Sequence, residues 1–354
     1  MINGKLVLEN GIEFKGQLFG APGSSAGEVV FNTGMVGYPE ALTDPSYHGQ
    51  ILTLTYPLVG NYGVPSFELD EDGLPMNFES NRIQVSGLII STASFDSSHW
   101  TAECTLDDWF RSCGVPILSG IDTRELTKTL RDKGTMLGKI VPEGEDIPFH
   151  DPNIRNLVAE VSISEPEEYG TQGPRVVLID TGVKASIIRC LVKAGARVLR
   201  VPWDYDFFDD EYDGIFLSNG PGDPKLAEAT IANLSRALKG KVPIFGICLG
   251  NQLLALAAGA DTYKLKFGHR AQNQPCQEVG ATRCYVTSQN HGFAVDASTL
   301  PDGWRQWFIN LNDQTNEGIR HEWKPIRSVQ FHPEATPGPT DTVGLFDRFV
   351  DMIS

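Results

Sequence analysis

The sequence predicts a two-domain α/β protein, in which a β-rich α+β domain precedes a domain built on a mostly parallel sheet flanked by helices. The chain has 354 residues, enough for two or three domains with sizeable cores. Apolar runs that alternate with helical patterns after residue 174 are typical of βαβ units. A polar stretch rich in Pro, Gly and Glu separates the two halves. We therefore predict domains at 1–150 and 175–354, joined by a linker at 151–174.

The N-terminal domain is predicted to consist mainly of strands. Strands are predicted at 5–9, 12–15, 28–32, 51–56 and 86–91. Asn10-Gly11, between the first two, is the strongest short signal for a β-hairpin. Residues 33–47 form a Gly- and Pro-rich loop, and a loop of this length in a compact domain is often functional. Asp122 and Glu125 resemble a capping box that starts a helix ending near Gly134.

The C-terminal domain is predicted to alternate strands with helices. Strands are predicted at 175–180, 197–201, 214–218 and 243–247, and helices at 183–194, 225–238, 252–258 and 344–353. Residues 282–331 return to strand-like runs. Ligands of such sheets bind at the carboxyl ends of the strands. Two candidate functional segments lie at such ends, namely Gly220-Pro221-Gly222 and Cys248.

The stretch around Cys248 predicts a nucleophile elbow. A buried strand leads up to the cysteine, a helix follows it, and Gly246 and Gly250 flank it. Neighbours without Cβ let a strand and a helix close around a strained nucleophile. A helix N-terminus also favours a thiolate. The alternative for a free cysteine is a small buried hydrophobe, but the paired glycines favour catalysis.

A thiolate nucleophile needs a base, and His332 has the best context among the histidines. A strand-like run precedes it, Pro333 stops the strand, and Glu334 is close enough to orient the ring. The alternative is a strand-end histidine beside a solvated glutamate, and His291 is a second candidate base. The N–H of Leu249 has the usual position of an oxyanion donor in an elbow.

The glycines of Gly220-Pro221-Gly222 predict a close backbone approach to a ligand, although a plain tight turn is the alternative. The sequence contains neither a Walker pattern nor a G-x-G-x-x-G at a strand-to-helix turn, so we expect no nucleotide site and no cofactor in this chain.

Composition and charge limit the kinds of partner and the cell compartment that we expect for this protein. A formal net charge of −16 argues against a broad nucleic-acid or anionic-membrane surface. No apolar run approaches the ~18 residues of a membrane span, and the N-terminus lacks a signal or transit pattern, so we expect a cytoplasmic protein. Six cysteines without a C-x-x-C pair indicate free thiols in a reducing compartment and no metal site.

Three motifs together resemble the signatures of class I glutamine amidotransferases. They lie at 217–224, 245–252 and 330–334, in the order typical of that family. Four further segments resemble the small, glutaminase subunit of carbamoyl-phosphate synthetase, namely 31–38, 42–47, 120–127 and 288–295. One departure is Asn251, where many members have His; it lies beside the elbow and outside the triad, so we expect little effect.

The resemblance implies a role for each matching residue. Cys248 is the nucleophile, His332 the base and Glu334 its orienting partner. The positions that match glutamine-binding residues are Ser46, Gly220, Gly222, Leu249, Gln252, Asn290, Gly292 and Phe293. The backbones of Gly220 and Leu249 would form the oxyanion hole, and Ser46 would reach the site from the N-terminal domain.

The resemblance also implies an activity and a partner. The chain would hydrolyse glutamine through a Cys248 thioester and deliver ammonia to a large synthetase subunit, which would hold ATP and Mg²⁺ and make carbamoyl phosphate for pyrimidine and arginine biosynthesis. Whether the chain is a free subunit or a piece of a fused multifunctional protein stays open. A non-catalytic regulatory domain and a cysteine hydrolase acting alone are the alternatives.

Overall fold

The computed structural model describes residues 2–354, which divide into two compact units at 154/155. Most of the predicted linker, 151–174, therefore lies in the C-terminal unit rather than between the units. It contains a short helix, α4 (Leu157–Val161), and a strand, β12 (Glu167–Tyr169). The Pro- and Glu-rich composition indicated a linker, but pairing of β12 with a neighbouring strand gives this segment regular structure.

The N-terminal unit is built on a closed barrel. Its strands are β1 (Ile2–Leu8), β2 (Glu13–Gly20), β3 (Ser25–Asn32), β4 (Gln50–Leu54), β5 (Leu58–Val59), β6 (Val64–Pro65), β7 (Gly87–Ile89), β8 (Thr92–Ala93), β9 (Ala102–Cys104), β10 (Pro116–Ser119) and β11 (Met136–Pro142). Its helices are α1 (Tyr38–Thr43), α2 (Leu106–Cys113) and α3 (Thr123–Lys133). The barrel order is β1-β11-β3-β4-β7-β10-β2.

The predicted hairpin and helix cap in this unit are confirmed, whereas the predicted loop 33–47 contains the helix α1 and a 3₁₀ turn, Pro45–Tyr47. β1 and β2 pair as an antiparallel hairpin around the predicted turn, where Gly11 has φ 86°. The side chain of Asp122 accepts a hydrogen bond from the N–H of Glu125, which caps α3. The strands β10 and β11 were not predicted from the sequence, because their pairing partners lie far away along the chain.

The C-terminal unit contains one mixed sheet covered by helices. The strands after β12 are β13 (Arg175–Asp180), β14 (Arg197–Pro202), β15 (Gly214–Leu217), β16 (Ile244–Ile247), β17 (Asp261–Glu278), β18 (Cys284–Asp296), β19 (Trp304–Asn310), β20 (Asn316–His321) and β21 (Ile326–Val329). The helices after α4 are α5 (Ala185–Lys193), α6 (Glu228–Ala237), α7 (Leu249–Ala258) and α8 (Leu345–Ile353). The order is β12-β14-β13-β15-β16-β21-β20-β19-β17-β18.

The central part of this sheet is parallel, as predicted, and the rest is antiparallel. β14, β13, β15, β16 and β21 pair in parallel. The antiparallel part includes the long ribbon of β17 and β18, whose first strand was not predicted. The predicted helix 225–238 begins later, because Pro224–Leu226 forms a 3₁₀ turn before α6.

Side chains of the parallel strands alternate between two apolar layers. Ile215 and Leu217 of β15 face one layer, which includes Leu253 of α7. Phe216, between them, packs against Phe349 of α8 on the other side, with ring centroids 5.3 Å apart. Helices on both faces bury the parallel strands, as their continuous apolar sequences require. Within residues 2–354, no helix combines the length and apolar character needed to cross a bilayer.

Substitution of Leu253 by Ala tests the layer under α7. This side chain is fully buried, so we expect the free energy of unfolding to fall by about 2–5 kcal/mol. The matched control is Leu311→Ala, which truncates a side chain that is 37% exposed and should lower it by about 1 kcal/mol or less. Urea unfolding followed by fluorescence measures both. Equal losses in the two variants would contradict this assignment of the core.

Candidate active site

Cys248 lies on a strained turn between β16 and α7. Its φ and ψ are 55° and −104°, a conformation that residues with a side chain rarely adopt. A Cβ on Gly246 would lie 2.7 Å from the carbonyl oxygen of Gly250, and a Cβ on Gly250 would lie 2.6 Å from that of Leu217. Glycine at both positions therefore permits the close packing of strand and helix that the sequence predicts for a nucleophile elbow.

His332 and Glu334 follow β21, the strand next to β16 in the sheet. The backbone N–H of His332 donates to the Ser288 carbonyl, 2.9 Å away, which ties this segment to β18. Nδ1 of His332 donates to Oε1 of Glu334 at 2.6 Å, and both side chains are buried. This contact orients the ring and leaves Nε2 as the nitrogen available for chemistry.

Lys184, which the sequence analysis did not identify, completes this buried arrangement. It lies at the N-terminus of α5, and its Nζ donates to Glu334 Oε1 at 2.9 Å and to the Thr336 carbonyl at 2.7 Å. Its side chain is 5% exposed and that of Glu334 is completely buried. A lysine at a helix end usually lies in solvent, so its residue type alone did not indicate this role.

The buried charges shift each other's proton affinities. Burial raises the pKa of Glu334, but the charges of Lys184 and His332 outweigh it and lower the pKa to about 2. Burial lowers the pKa of His332, but the carboxylate of Glu334 and the neighbouring Cys248 outweigh it and raise the pKa to about 10. At neutral pH the carboxylate is therefore ionised and the imidazole is protonated.

The thiol of Cys248 lies near the imidazole but is directed elsewhere. Its Sγ donates to the carbonyl oxygen of Asn290 at 3.6 Å. Nε2 of His332 has no hydrogen-bond partner among the residues that the structure describes. The contribution of Cys248 to the raised pKa of His332 nevertheless indicates that the two groups are close. Contacts of this kind are often long without substrate and tighten when it binds.

The turn after β15 places backbone beside the elbow. A Cβ on Gly220 would lie 1.9 Å from the carbonyl oxygen of Thr181 and 2.8 Å from the side chain of Leu249. Gly222 has φ 85°, which favours glycine. The Thr181 hydroxyl donates to the carbonyl of Asn219 at 2.9 Å, which holds this turn against the end of β13. The predicted residues Gly220, Gly222 and Leu249 therefore belong to one region.

The remaining predicted residues of this unit lie on α7 and β18. Nε2 of Gln252 donates to the carbonyl of Phe293 at 2.9 Å, which joins the helix after Cys248 to the strand that carries Asn290. A Cβ on Gly292 would approach a side-chain nitrogen of Arg270 to 3.2 Å. The structure therefore brings Gln252, Asn290 and Phe293 together with Cys248.

Asn251, the departure from the family pattern, is buried beneath the elbow. Its Nδ2 donates to Gln330 at 3.1 Å, and its Oδ1 accepts from the hydroxyl of Ser328 at 2.8 Å. Its amide thus has polar partners on the segment leading to His332.

Ser46 lies in the N-terminal unit. It belongs to a 3₁₀ turn, Pro45–Tyr47, where its N–H donates to Oδ1 of Asp44 at 2.9 Å, and it is buried. Its role in binding glutamine stays a prediction.

Substitution of Lys184 by Met tests the buried charges. Because the pKa of Glu334 is lower in the folded protein than its ordinary value of 4.5, ionised Glu334 stabilises the fold above about pH 4.5, and this stabilisation is lost as the pH falls toward about 2. Removal of Lys184 should lower the free energy of unfolding by about 3–5 kcal/mol at pH 7, and by less at pH 3.

The matched control for this variant is Lys193→Met, which removes an exposed charge from the same helix. It should change the free energy of unfolding by less than about 0.5 kcal/mol at both pH values. Urea unfolding at pH 7 and pH 3 measures both variants. A Lys184→Met loss that is the same at both pH values would contradict the ionic origin of the effect.

Two known protein families match this chain, each over one part of its length. Residues 6–140 match the family described as carbamoyl-phosphate synthase small chain, CPSase domain. Residues 177–352 match glutamine amidotransferase class-I. The two matches fall on the N-terminal and C-terminal units, respectively.

Three curated relatives match almost the whole chain. The multifunctional protein CAD of Squalus acanthias is 55% identical over 352 residues, covering 98% of this chain and 16% of the relative. The mitochondrial carbamoyl-phosphate synthase [ammonia] of Homo sapiens is 53% identical, with 98% and 23% covered. The multifunctional protein URA2 of Saccharomyces cerevisiae is 50% identical over 384 residues, with 98% and 17% covered.

The chain spans less than a quarter of the length of these relatives. The two family matches and the relatives agree with the resemblance drawn from the motifs. The chain belongs to the carbamoyl-phosphate synthase small-chain family and carries a class-I glutamine amidotransferase domain.

Proposed function

We propose that this chain is the glutaminase component of a glutamine-dependent carbamoyl-phosphate synthetase. The observation that carries the proposal is the buried group of Cys248, His332 and Glu334, with the cysteine on a strained elbow. Family membership does not by itself specify the nitrogen source, because one relative is named for ammonia. An intact nucleophile and base favour glutamine and argue against a non-catalytic regulatory domain.

In the reacting state His332 holds the thiol proton of Cys248, and the Cys248 thiolate attacks the side-chain carboxamide carbon of glutamine. The resulting oxyanion accepts hydrogen bonds from the N–H groups of Gly220 and Leu249. Protonated His332 then gives its proton to the departing nitrogen, and the C–N bond breaks to release ammonia and leave a glutamyl thioester. Such acid–base assistance is worth about 10²–10⁴ in rate.

Hydrolysis of the thioester completes the cycle. Neutral His332 takes a proton from a water molecule, and the resulting hydroxide attacks the acyl carbon. The C–S bond breaks, glutamate leaves, and the thiolate of Cys248 and protonated His332 are restored. Glu334 stays ionised throughout, because Lys184 and His332 both stabilise its carboxylate.

Glutamine itself is held by groups around the elbow. The side chains or backbones of Gln252, Asn290, Gly292 and Phe293 would bind it, and a role for Ser46 rests on the resemblance alone. The Asn290 carbonyl accepts a hydrogen bond from the thiol in this structure, which supports a place for Asn290 beside the bound glutamine.

The ammonia would pass to a synthetase partner, because free ammonia is largely protonated in water at neutral pH and is then not nucleophilic. The partner would be the large synthetase subunit or domain, which would hold ATP and Mg²⁺, while this chain needs no cofactor of its own. The N-terminal unit, whose family match is specific to carbamoyl-phosphate synthase, would dock to it. The product would supply pyrimidine and arginine biosynthesis in the cytoplasm.

Substitution of Cys248 by Ala tests the nucleophile in the complex with the synthetase. Glutamine-dependent synthesis of carbamoyl phosphate should fall at least about 10³-fold, whereas synthesis from added ammonium should persist. Cys284→Ala, which changes an exposed cysteine of the same unit, should leave both activities unchanged. Normal synthesis from glutamine by Cys248→Ala would refute the proposal, and rapid turnover of other amides without the partner would indicate a hydrolase acting alone.

Substitution of Gly220 by Ala tests the oxyanion donor. The added Cβ would meet the Thr181 carbonyl at 1.9 Å, so the backbone must move and its N–H loses alignment. We expect kcat for glutamine hydrolysis to fall by about 10²–10³, with a smaller change in KM. In Gly344→Ala the Cβ meets open space at φ −62°, and steady-state kinetics should match the unsubstituted protein. A change in KM alone for Gly220→Ala would contradict the assigned role.

A further inference from the structure

A second buried group of titratable side chains lies on the antiparallel part of the sheet. His269 of β17 and His291 of β18 are direct cross-strand neighbours, and Glu317 of β20 lies beside both. One ligand-type atom from each lies within 4.8 Å of the others. Oε1 of Glu317 is 3.2 Å from His269 Nδ1 and 3.7 Å from His291 Nε2. All three residues are buried.

The outer nitrogen of each imidazole is bound to an acceptor. Nε2 of His269 donates to the carboxylate of Asp313 at 2.8 Å, and Nδ1 of His291 donates to the carbonyl of Phe293 at 2.8 Å. The other nitrogen of each ring, Nδ1 of His269 and Nε2 of His291, faces Glu317. Histidines that bind metals almost always have this second contact, because it sets the tautomer and directs the lone pair toward the ion.

The space between these groups contains more acceptors than donors. Oε2 of Glu317 is buried and has no hydrogen-bond partner among the described residues. Oε1 of Gln289 lies 3.4 Å from Nε2 of His291, and its amide nitrogen donates to Cys276 Sγ and Thr287 Oγ1. The amide of Asn310 offers only a long contact, 3.5 Å, to Nδ1 of His269. Buried acceptors facing each other in this way are stabilised by a cation.

We propose that His269, His291 and Glu317 bind a Zn²⁺ ion. Ligands about 2.0–2.2 Å from a tetrahedral zinc lie about 3.3–3.6 Å from one another, and the two contacts of Glu317 are 3.2 and 3.7 Å. Two imidazoles and a carboxylate suit zinc, whereas Ca²⁺ and Mg²⁺ prefer oxygen ligands only. Gln289 Oε1 or a water molecule would supply the fourth ligand. The sequence did not predict a metal site, because the three residues are far apart along the chain.

The ion would join three strands beside the elbow. His291 follows Asn290, whose carbonyl accepts the hydrogen bond of the Cys248 thiol. The carbonyl of Glu317 accepts from the N–H of Gln330, two residues before His332. Zinc would therefore hold the segments that carry the thiol contact and the base, in a structural role that does not depend on the glutaminase proposal.

The competing occupant of this group is a proton on His269, shared between Glu317 and Asp313. Metal content distinguishes the two. The full chain is stripped with a chelator, dialysed against Zn²⁺ and analysed by elemental mass spectrometry, and its affinity is measured by competition with a chromophoric chelator. We expect one Zn²⁺ per chain, and a higher melting temperature with Zn²⁺ because the ion binds the folded state.

Variants assign the ligands. Glu317→Gln should weaken Zn²⁺ binding at least about 100-fold. Asp313→Asn should weaken it by about 10–100-fold, because the substitution removes the carboxylate that orients His269. The side chain of Asp313 is 45% exposed. Asp313→Asn keeps the test decisive if Glu317→Gln does not fold. His321→Gln, on the same strand as Glu317 but outside the cluster, should bind zinc normally. Absence of stoichiometric zinc in the unsubstituted chain, or equal affinity in His321→Gln and Asp313→Asn, would overturn the proposal.

Discussion

The buried ion pair between Lys184 and Glu334 is the interaction on which the candidate site depends. A carboxylate with no exposed surface is stable only if charged or donor groups surround it, and Lys184 and His332 supply them from α5 and from the segment after β21. The same pair sets the protonation of His332, because an ionised Glu334 stabilises the imidazolium. The position of the base and its charge therefore have one physical origin.

The elbow contributes a separate constraint. The positive φ of Cys248 is unfavourable for a residue with a Cβ, and the surrounding contacts must hold it. They include the N–H of Cys248, which donates to the carbonyl of Val329 at 2.8 Å, and the N–H of Gly250, which donates to Ser218 at 3.0 Å. Strain at the nucleophile is thus stabilised by the two neighbouring strands of the parallel sheet.

Local chemistry decided which features could be predicted from the sequence. The glycines around Cys248 permit a tight turn, and Pro333 ends the strand after His332. These effects act within a few residues, so the sequence alone predicted the elbow and the position of the base. Features that depend on partners distant in the chain could not be predicted in this way. A lysine at a helix end is ordinarily exposed, so Lys184 gave no sign of its buried role. The strand β17 mixes polar and apolar residues without a clear alternation, and its pairing with β18 decides which of them are buried.

The close packing of Gly250 against β15 has a further consequence for how the thiol can be repositioned. Because the elbow cannot shift without breaking that contact, realignment of Cys248 toward His332 must come from side-chain rotation or from the ribbon that carries Asn290. The pairing of β17 with β18 is interrupted by two register shifts, one of them beside Ala271. The fold thus fixes the backbone of the nucleophile, and any adjustment that substrate binding requires falls to the Cys248 side chain or to the ribbon of β17 and β18.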